Sequence, residues 1–144
     1  MFQKLIQKKR CCFHKGFKNW EDAVRAACLP LLIDQTIEPE YPDAIIEKVK
    51  ELGPYIVIAP KICIPHAQEG VGVNDTAVCF MKTEEPIHFS DDPDHDAQLF
   101  FVLASVDNGE HLENLCELSE MLSDETVVEK LLAAKSIEDL KELP

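Results

Sequence analysis

Hydrophobic positions along this chain alternate between helical and extended spacing. Asn19 and Asp22 form an N-x-x-D start, after which Trp20, Ala23, Val24, Ala27, Cys28, Leu31 and Leu32 recur at helical intervals. Pro30 breaks into that stripe. A proline inside a helix removes a hydrogen bond and crowds the preceding turn, so a kink or an early end is expected there. A second helix is predicted from Pro39 to Leu52, with Tyr41, Ile45, Val49 and Leu52 on one face and Gly53-Pro54 as its stop. Short extended runs follow at 56–58 and 62–64. The segment 76–81 reads as a strand, and 97–104 is nearly all apolar, as a central strand covered on both faces should be. Between them, residues 86–96 read as an acidic loop. Asp107 with Glu110 resembles a capping box, opening a helix with Leu112, Leu115, Cys116 and Leu122 inward. Val127, Val128, Leu131 and Leu132 belong to a further helix. Ser136 with Asp139 starts a last one carrying Ile137, Leu140 and Leu143. Helices before, between and after a sheet predict an α/β protein, a single layered domain, 1–144.

Composition narrows the class. The hydrophobic share of 46% suits a globular protein with a real core. No apolar run approaches the roughly 20 residues of a membrane span. The opening Met1–Gln7 is too short and too polar for a signal-peptide core, so a cytoplasmic location is expected. Six cysteines are present, none in a C-x-x-C pair, and most lie inside apolar patterns. Reduced, buried thiols are the expectation.

Charge is unevenly spread. The formal net charge is −13, yet six of the 14 basic residues fall in a basic N-terminal segment, 1–18, that contains no acid. The body from Asn19 onward therefore sets 8 basic residues against 27 acidic ones. Such a body argues against nucleic acid and suits a basic protein partner. The basic segment is read as a solvated face, with contact to a partner or a membrane surface as the alternative.

The segment with the most chemistry in it is Ile62-Cys63-Ile64-Pro65-His66-Ala67-Gln68-Glu69-Gly70. An apolar strand stops at a proline and a histidine follows. Pro65 fixes its own φ and drives Ile64 into an extended conformation, which puts His66 just past a strand end on a well-held loop. A neutral imidazole there can attack phosphorus and carry a phosphoryl group. The same spacing also fits an ordinary surface histidine.

The run 59–67, Ala-Pro-Lys-Ile-Cys-Ile-Pro-His-Ala, resembles the active-site segment of enzyme IIA of the bacterial sugar phosphotransferase system, in its mannitol/fructose/ascorbate superfamily. The run 103–115, Leu-Ala-Ser-Val-Asp-Asn-Gly-Glu-His-Leu-Glu-Asn-Leu, resembles the strand-to-helix segment in which that family places a second active-site histidine. The resemblance spans roughly Trp20 to Leu143, and the fold it implies is a small mixed β-sheet flanked by helices. It implies that His66 accepts a phosphoryl group from the carrier protein HPr, on Nε2. His66 would then pass the group to a cysteine of enzyme IIB, and indirectly to the membrane enzyme IIC. It also implies that His111 steadies the phosphoryl oxygens. A family arginine maps without gaps to Lys50, which keeps the charge but not the bidentate fork. Gln68 stands where many ascorbate-type relatives carry arginine. No cofactor or metal is implied. The Ala-Pro-x-x-x-x-Pro-His-Ala pattern and the loop at 86–96 point to the L-ascorbate branch over the fructose, mannitol and galactitol branches.

Other readings stay open. A regulatory IIA-like module would use phosphorylated His66 as a signal. A metal-dependent hydrolase would draw on His66, His88, His95 and His111, without supporting motif spacing. Cys63 is read as a packing residue, and His14 has no partner visible in the sequence.

Overall fold

The computed structural model describes residues 1–68, 70–106 and 108–144. Five strands form one mixed sheet: β1 (Cys11–His14), β2 (Val57–Ala59), β3 (Lys61–Cys63), β4 (Ala77–His88) and β5 (Asp96–Ala104). Their spatial order is β1-β4-β5-β3-β2. β1 runs parallel to β4, β4 antiparallel to β5, β5 parallel to β3, and β3 antiparallel to β2. β5 is the middle strand. Leu99, Phe101 and Leu103 enter the core on one face of the sheet, and Phe100, Val102 and Ala104 the core on the other. This is the two-sided burial its unbroken apolar run predicts.

Two helices cover one face, α2 (Trp20–Ile33) and α3 (Glu40–Leu52), and three cover the other, α1 (Phe2–Gln7), α4 (Asn108–Leu122) and α5 (Glu125–Ala133). The N-cap of α2 is as expected: the Asn19 side chain accepts from Asp22 N–H at 2.8 Å. The stop of α3 is as expected too, with Gly53 at φ +85°, a backbone region that favours glycine.

Several expectations are corrected. α2 does not end at Pro30 but continues to Ile33. Pro30 leaves the Ala26 carbonyl without its usual N–H donor, and only three helical residues follow it. Leu52 is exposed at the end of α3. In α4 the inward residues are Leu118 and Met121, whereas Leu112, Leu115 and Cys116 face outward. Asp107, the proposed cap of that helix, lies outside the described residues. The segment 86–96 is only partly loop, because β4 runs on through Pro86, Ile87 and His88, and a short 3-10 turn, Pro93–His95, leads into β5. The last element, Ile137–Leu140, is a single 3-10 turn; Leu140 is buried and Ile137 is not.

The basic segment is more than a solvated face. Lys4, Lys8, Lys9, Lys15 and Lys18 are exposed, but Phe2 and Leu5 are buried, and β1 extends the sheet. Arg10 ties it to the end of α2, with Nε 3.0 Å from Asp34 Oδ2 and an Nη donating to Thr36 Oγ1 at 3.0 Å. The two ends of the chain meet, Phe2 N–H donating to the Pro144 carbonyl at 3.1 Å.

Candidate functional site

Parallel strands β3 and β5 point the same way, so the segments that leave their C-terminal ends emerge on one edge of the sheet. From β3 comes Ile64-Pro65-His66; from β5 comes the connection into α4, whose fourth residue is His111. Backbone bonds tie the two segments together: Leu103 N–H donates to the Pro65 carbonyl at 3.0 Å, and Gly70 N–H to the Ser105 carbonyl at 3.0 Å. This edge is where α/β sheets with parallel strands gather functional groups.

His66 is half-buried. Its Nδ1 lies 2.6 Å from the carbonyl oxygen of Ile64. A carbonyl can only accept, so Nδ1 carries the proton and the neutral ring leaves its lone pair on Nε2. The imidazole packs edge-on against Tyr55, ring centroids 5.2 Å apart at 84°. The Tyr55 hydroxyl donates to the His66 carbonyl. On the next atom pair along the chain, Ala67 N–H donates to the Tyr41 hydroxyl at 3.1 Å, and that hydroxyl donates onward to the Leu103 carbonyl of β5. Burial pushes the Tyr55 phenol up to about 12, and pushes Tyr41 higher, so both stay protonated donors.

His111 sits in the first turn of α4, where unpaired N–H groups and the helix dipole favour an anion. Its Nδ1 is buried and has no hydrogen-bond partner among the described residues. Gln68 is exposed beside the His66 loop. Lys50 is exposed in the last turn of α3. Lys48, two residues earlier, lies with Nζ 5.4 Å from the centroid of the Tyr55 ring. Tyr41, Tyr55 and Lys48 are therefore neighbours of the site that sequence reasoning missed. Tyr41 was legible only as a core residue. The signal available was that a buried tyrosine hydroxyl needs a partner.

The remaining candidate chemistry lies elsewhere. Cys63 is fully buried in β3, and desolvation raises its thiol well above the ordinary range, which suits packing and not nucleophilic attack. In the acidic segment, His88 Nδ1 is 2.8 Å from Asp96 Oδ1, and Ser90 Oγ is 2.7 Å from His95 Nδ1. Those four side chains engage one another in pairs. Among the described residues, no three histidine, cysteine or acidic side chains are grouped as a metal site would need. Among the described residues, no helix is long and apolar enough to cross a membrane.

Comparison with known proteins agrees with this architecture. The ascorbate-specific PTS system EIIA component of Escherichia coli K12 is 28% identical over 140 residues, covering 96% of this chain and 91% of the relative. The solution structure of the mannitol-specific cryptic phosphotransferase enzyme IIA of Escherichia coli superposes with a TM-score of 0.82 at 28% identity, over 92% of this chain and 89% of that one. Enzyme IIA of mannitol in complex with phosphorylated enzyme IIB, also from Escherichia coli, superposes with a TM-score of 0.78 at 26% identity, over 93% and 92% of the two chains. Residues 4–143 match the family described as phosphoenolpyruvate-dependent sugar phosphotransferase system, EIIA 2. The chain belongs to that family and is a phosphotransferase component of a sugar phosphotransferase system.

Proposed function

We propose that His66 is the residue phosphorylated in this chain, that Nε2 is the accepting atom, and that the system served is uptake of L-ascorbate. The observation that carries the site is the bond from His66 Nδ1 to the Ile64 carbonyl, because it directs the free lone pair to Nε2. The ascorbate reading rests on the curated relatives, which are ascorbate-specific. In the first step the phosphorus–nitrogen bond of phospho-HPr breaks as the bond to Nε2 forms, and the HPr imidazole leaves. In the second, a cysteine thiolate of enzyme IIB attacks the same phosphorus and His66 is released neutral, ready for another cycle. The group then moves on toward the membrane enzyme IIC. Partnership with IIB is supported by the mannitol-type complex, whose IIA shares this fold. Both steps need in-line positioning and stabilised charge more than covalent help from the protein.

His111, at the head of α4, serves as the second site residue and faces the developing charge on the phosphoryl oxygens. Gln68 adds a neutral donor and Lys50 a distant cation on the same reading. The acidic body of the chain suits a basic partner at the donor step.

The test is phosphate transfer from phosphoenolpyruvate through enzyme I and HPr. The wild-type chain is expected to take an acid-labile phosphate that His66→Ala does not take. His111→Ala is expected to be slower by about 100-fold, the scale of one lost charge-stabilising donor. An ascorbate-type IIB should discharge the phosphoprotein faster than a mannitol-type IIB. A phosphate retained with every IIB offered would instead mark a regulator.

A further inference from the structure

We propose that Tyr55 and Tyr41 form a two-point clamp on the single peptide group between His66 and Ala67, and that this clamp sets the aim of the His66 imidazole. The inference rests on the phosphohistidine reading above and assigns residues that it did not use. The geometry is specific. The Tyr55 hydroxyl holds the carbonyl pole of that peptide, and the Tyr41 hydroxyl holds its N–H pole at 3.1 Å. Rotation of this plane would change ψ of His66 and φ of Ala67 together, and both poles resist it.

The anchors are stiff. Tyr41 projects from the first turn of α3, is 1% exposed, and passes its own proton to the Leu103 carbonyl in the central strand. Tyr55 follows Gly53-Pro54, where the proline limits the backbone, and its N–H bonds the Gly53 carbonyl at 2.7 Å. The loop is thus pinned to the sheet by one tyrosine and to the end of α3 by the other. Tyr55 does a second thing: its ring stands nearly perpendicular to the imidazole and in contact with it, and Lys48 lies over its face. One side chain orients both the backbone and the ring of His66.

The consequence is chemical. The Nδ1 bond to Ile64 depends on the side-chain torsions of His66, and the Tyr55 ring, held in place through the clamped peptide, bears on those torsions directly. If the Tyr55 hydroxyl loses its hold on the His66 carbonyl, its ring no longer seats against the imidazole, the side chain is free to turn, the Nδ1 bond opens and Nε2 loses its direction. A displacement of about 1 Å at a reacting atom can cost on the order of 100-fold in rate. A site that must meet two different proteins in turn has no partner-independent means of correcting such an error. Tyr41 and Tyr55 are positioning residues in this scheme, since neither needs to touch the phosphoryl group.

Saturation of backbone groups for stability alone would explain the same bonds, and the experiment separates the two. The full chain carrying 15N-labelled histidine is prepared as wild type, Tyr55→Phe and Tyr55→Leu. Ring nitrogen signals report the His66 tautomer, and transfer from phospho-HPr is followed at rising donor concentration. Tyr55→Phe keeps the ring and removes only the hydroxyl. It is expected to mix the two tautomers and to lower the saturating rate by about 10-fold, with the half-saturating HPr concentration within about twofold of wild type. Tyr55→Leu should be slower again, so that phenylalanine partly rescues. Either a wild-type saturating rate or an unmoved His66 ring signal in Tyr55→Phe overturns the clamp. A wild-type chain that takes no phosphate overturns the relay reading, while the ring signals still decide the clamp.

Discussion

His66 and its neighbours illustrate how much rests on single atoms. The tautomer is set by one carbonyl, and a cation reaches the site by way of one aromatic ring. The two lysines of α3 provide a direct comparison. Lys48 lies on the Tyr55 ring that borders the imidazole, and Lys50 points to solvent from the last turn. Lys48→Met is expected to slow phosphoryl transfer roughly five-fold, the scale of about 1 kcal/mol for one charge near the reacting group. Lys50→Met should leave the rate within about twofold. Equal losses in the two variants, measured as saturating rates from phospho-HPr, would show that the ring contact is not what counts. The placement of His66 past a strand end was legible because proline beside histidine there has a mechanical meaning. Tyr41 and Tyr55 were not, since their partners are backbone atoms at sequence separations of 62, 26 and 11 residues, which no local pattern reports.

Elements show where periodicity is informative and where it is not. In α4, leucines occur at both inner and outer positions, so the apolar stripe alone did not say which side meets the sheet. Leu118 and Met121 were chosen by the way β5 delivers the helix, leaving Leu112 at 61% exposure and Leu118 at 1%. Leu118→Ala is therefore expected to cost about 2–5 kcal/mol in urea unfolding, and Leu112→Ala within about 0.5 kcal/mol of nothing. The reverse order would mean that α4 is rotated. β1 was hidden for another reason. Its four residues lie in a run rich in lysine and cysteine, and they become a strand only because β4 offers a parallel edge.

The tie between that region and α2 has a pH signature. Burial pushes the Asp34 carboxyl up, but hydrogen bonds from Thr36 and Arg10 outweigh it and hold the group below its usual value of 3.8. A depressed carboxyl lends stability that is complete above the unfolded value and is lost as pH falls through the folded one. Asp34→Asn should accordingly melt below wild type at neutral pH, and the gap should close only below about pH 3.8. A gap that closes well above that value would show that Asp34 is not the group responsible.

At the scale of the molecule, the α/β class, the central strand and the covering helices were all readable, because two-sided burial writes a continuous apolar run and one-sided burial a stripe. The topology was not, since strand order depends on which edges meet. Charge is the other whole-molecule property. With a net charge of −13, the chain should attract a basic donor at long range, and its association rate with phospho-HPr should fall as salt rises past about 0.1 M. A rate indifferent to ionic strength would remove electrostatics from the encounter.

The meeting of Phe2 with Pro144 reaches further than one hydrogen bond. A peptide joining those two residues would make the polypeptide a ring without disturbing the sheet edge that carries His66. Such a ring forbids the unfolded chain most of its extended shapes, and loop-closure arithmetic puts the gain at about 4–5 kcal/mol for a circuit of this size. The ring could then be reopened at an exposed turn far from the two histidines. The fold, in that sense, has no natural first residue: the order in which a ribosome would release its strands can be rewritten while the arrangement they reach stays the same.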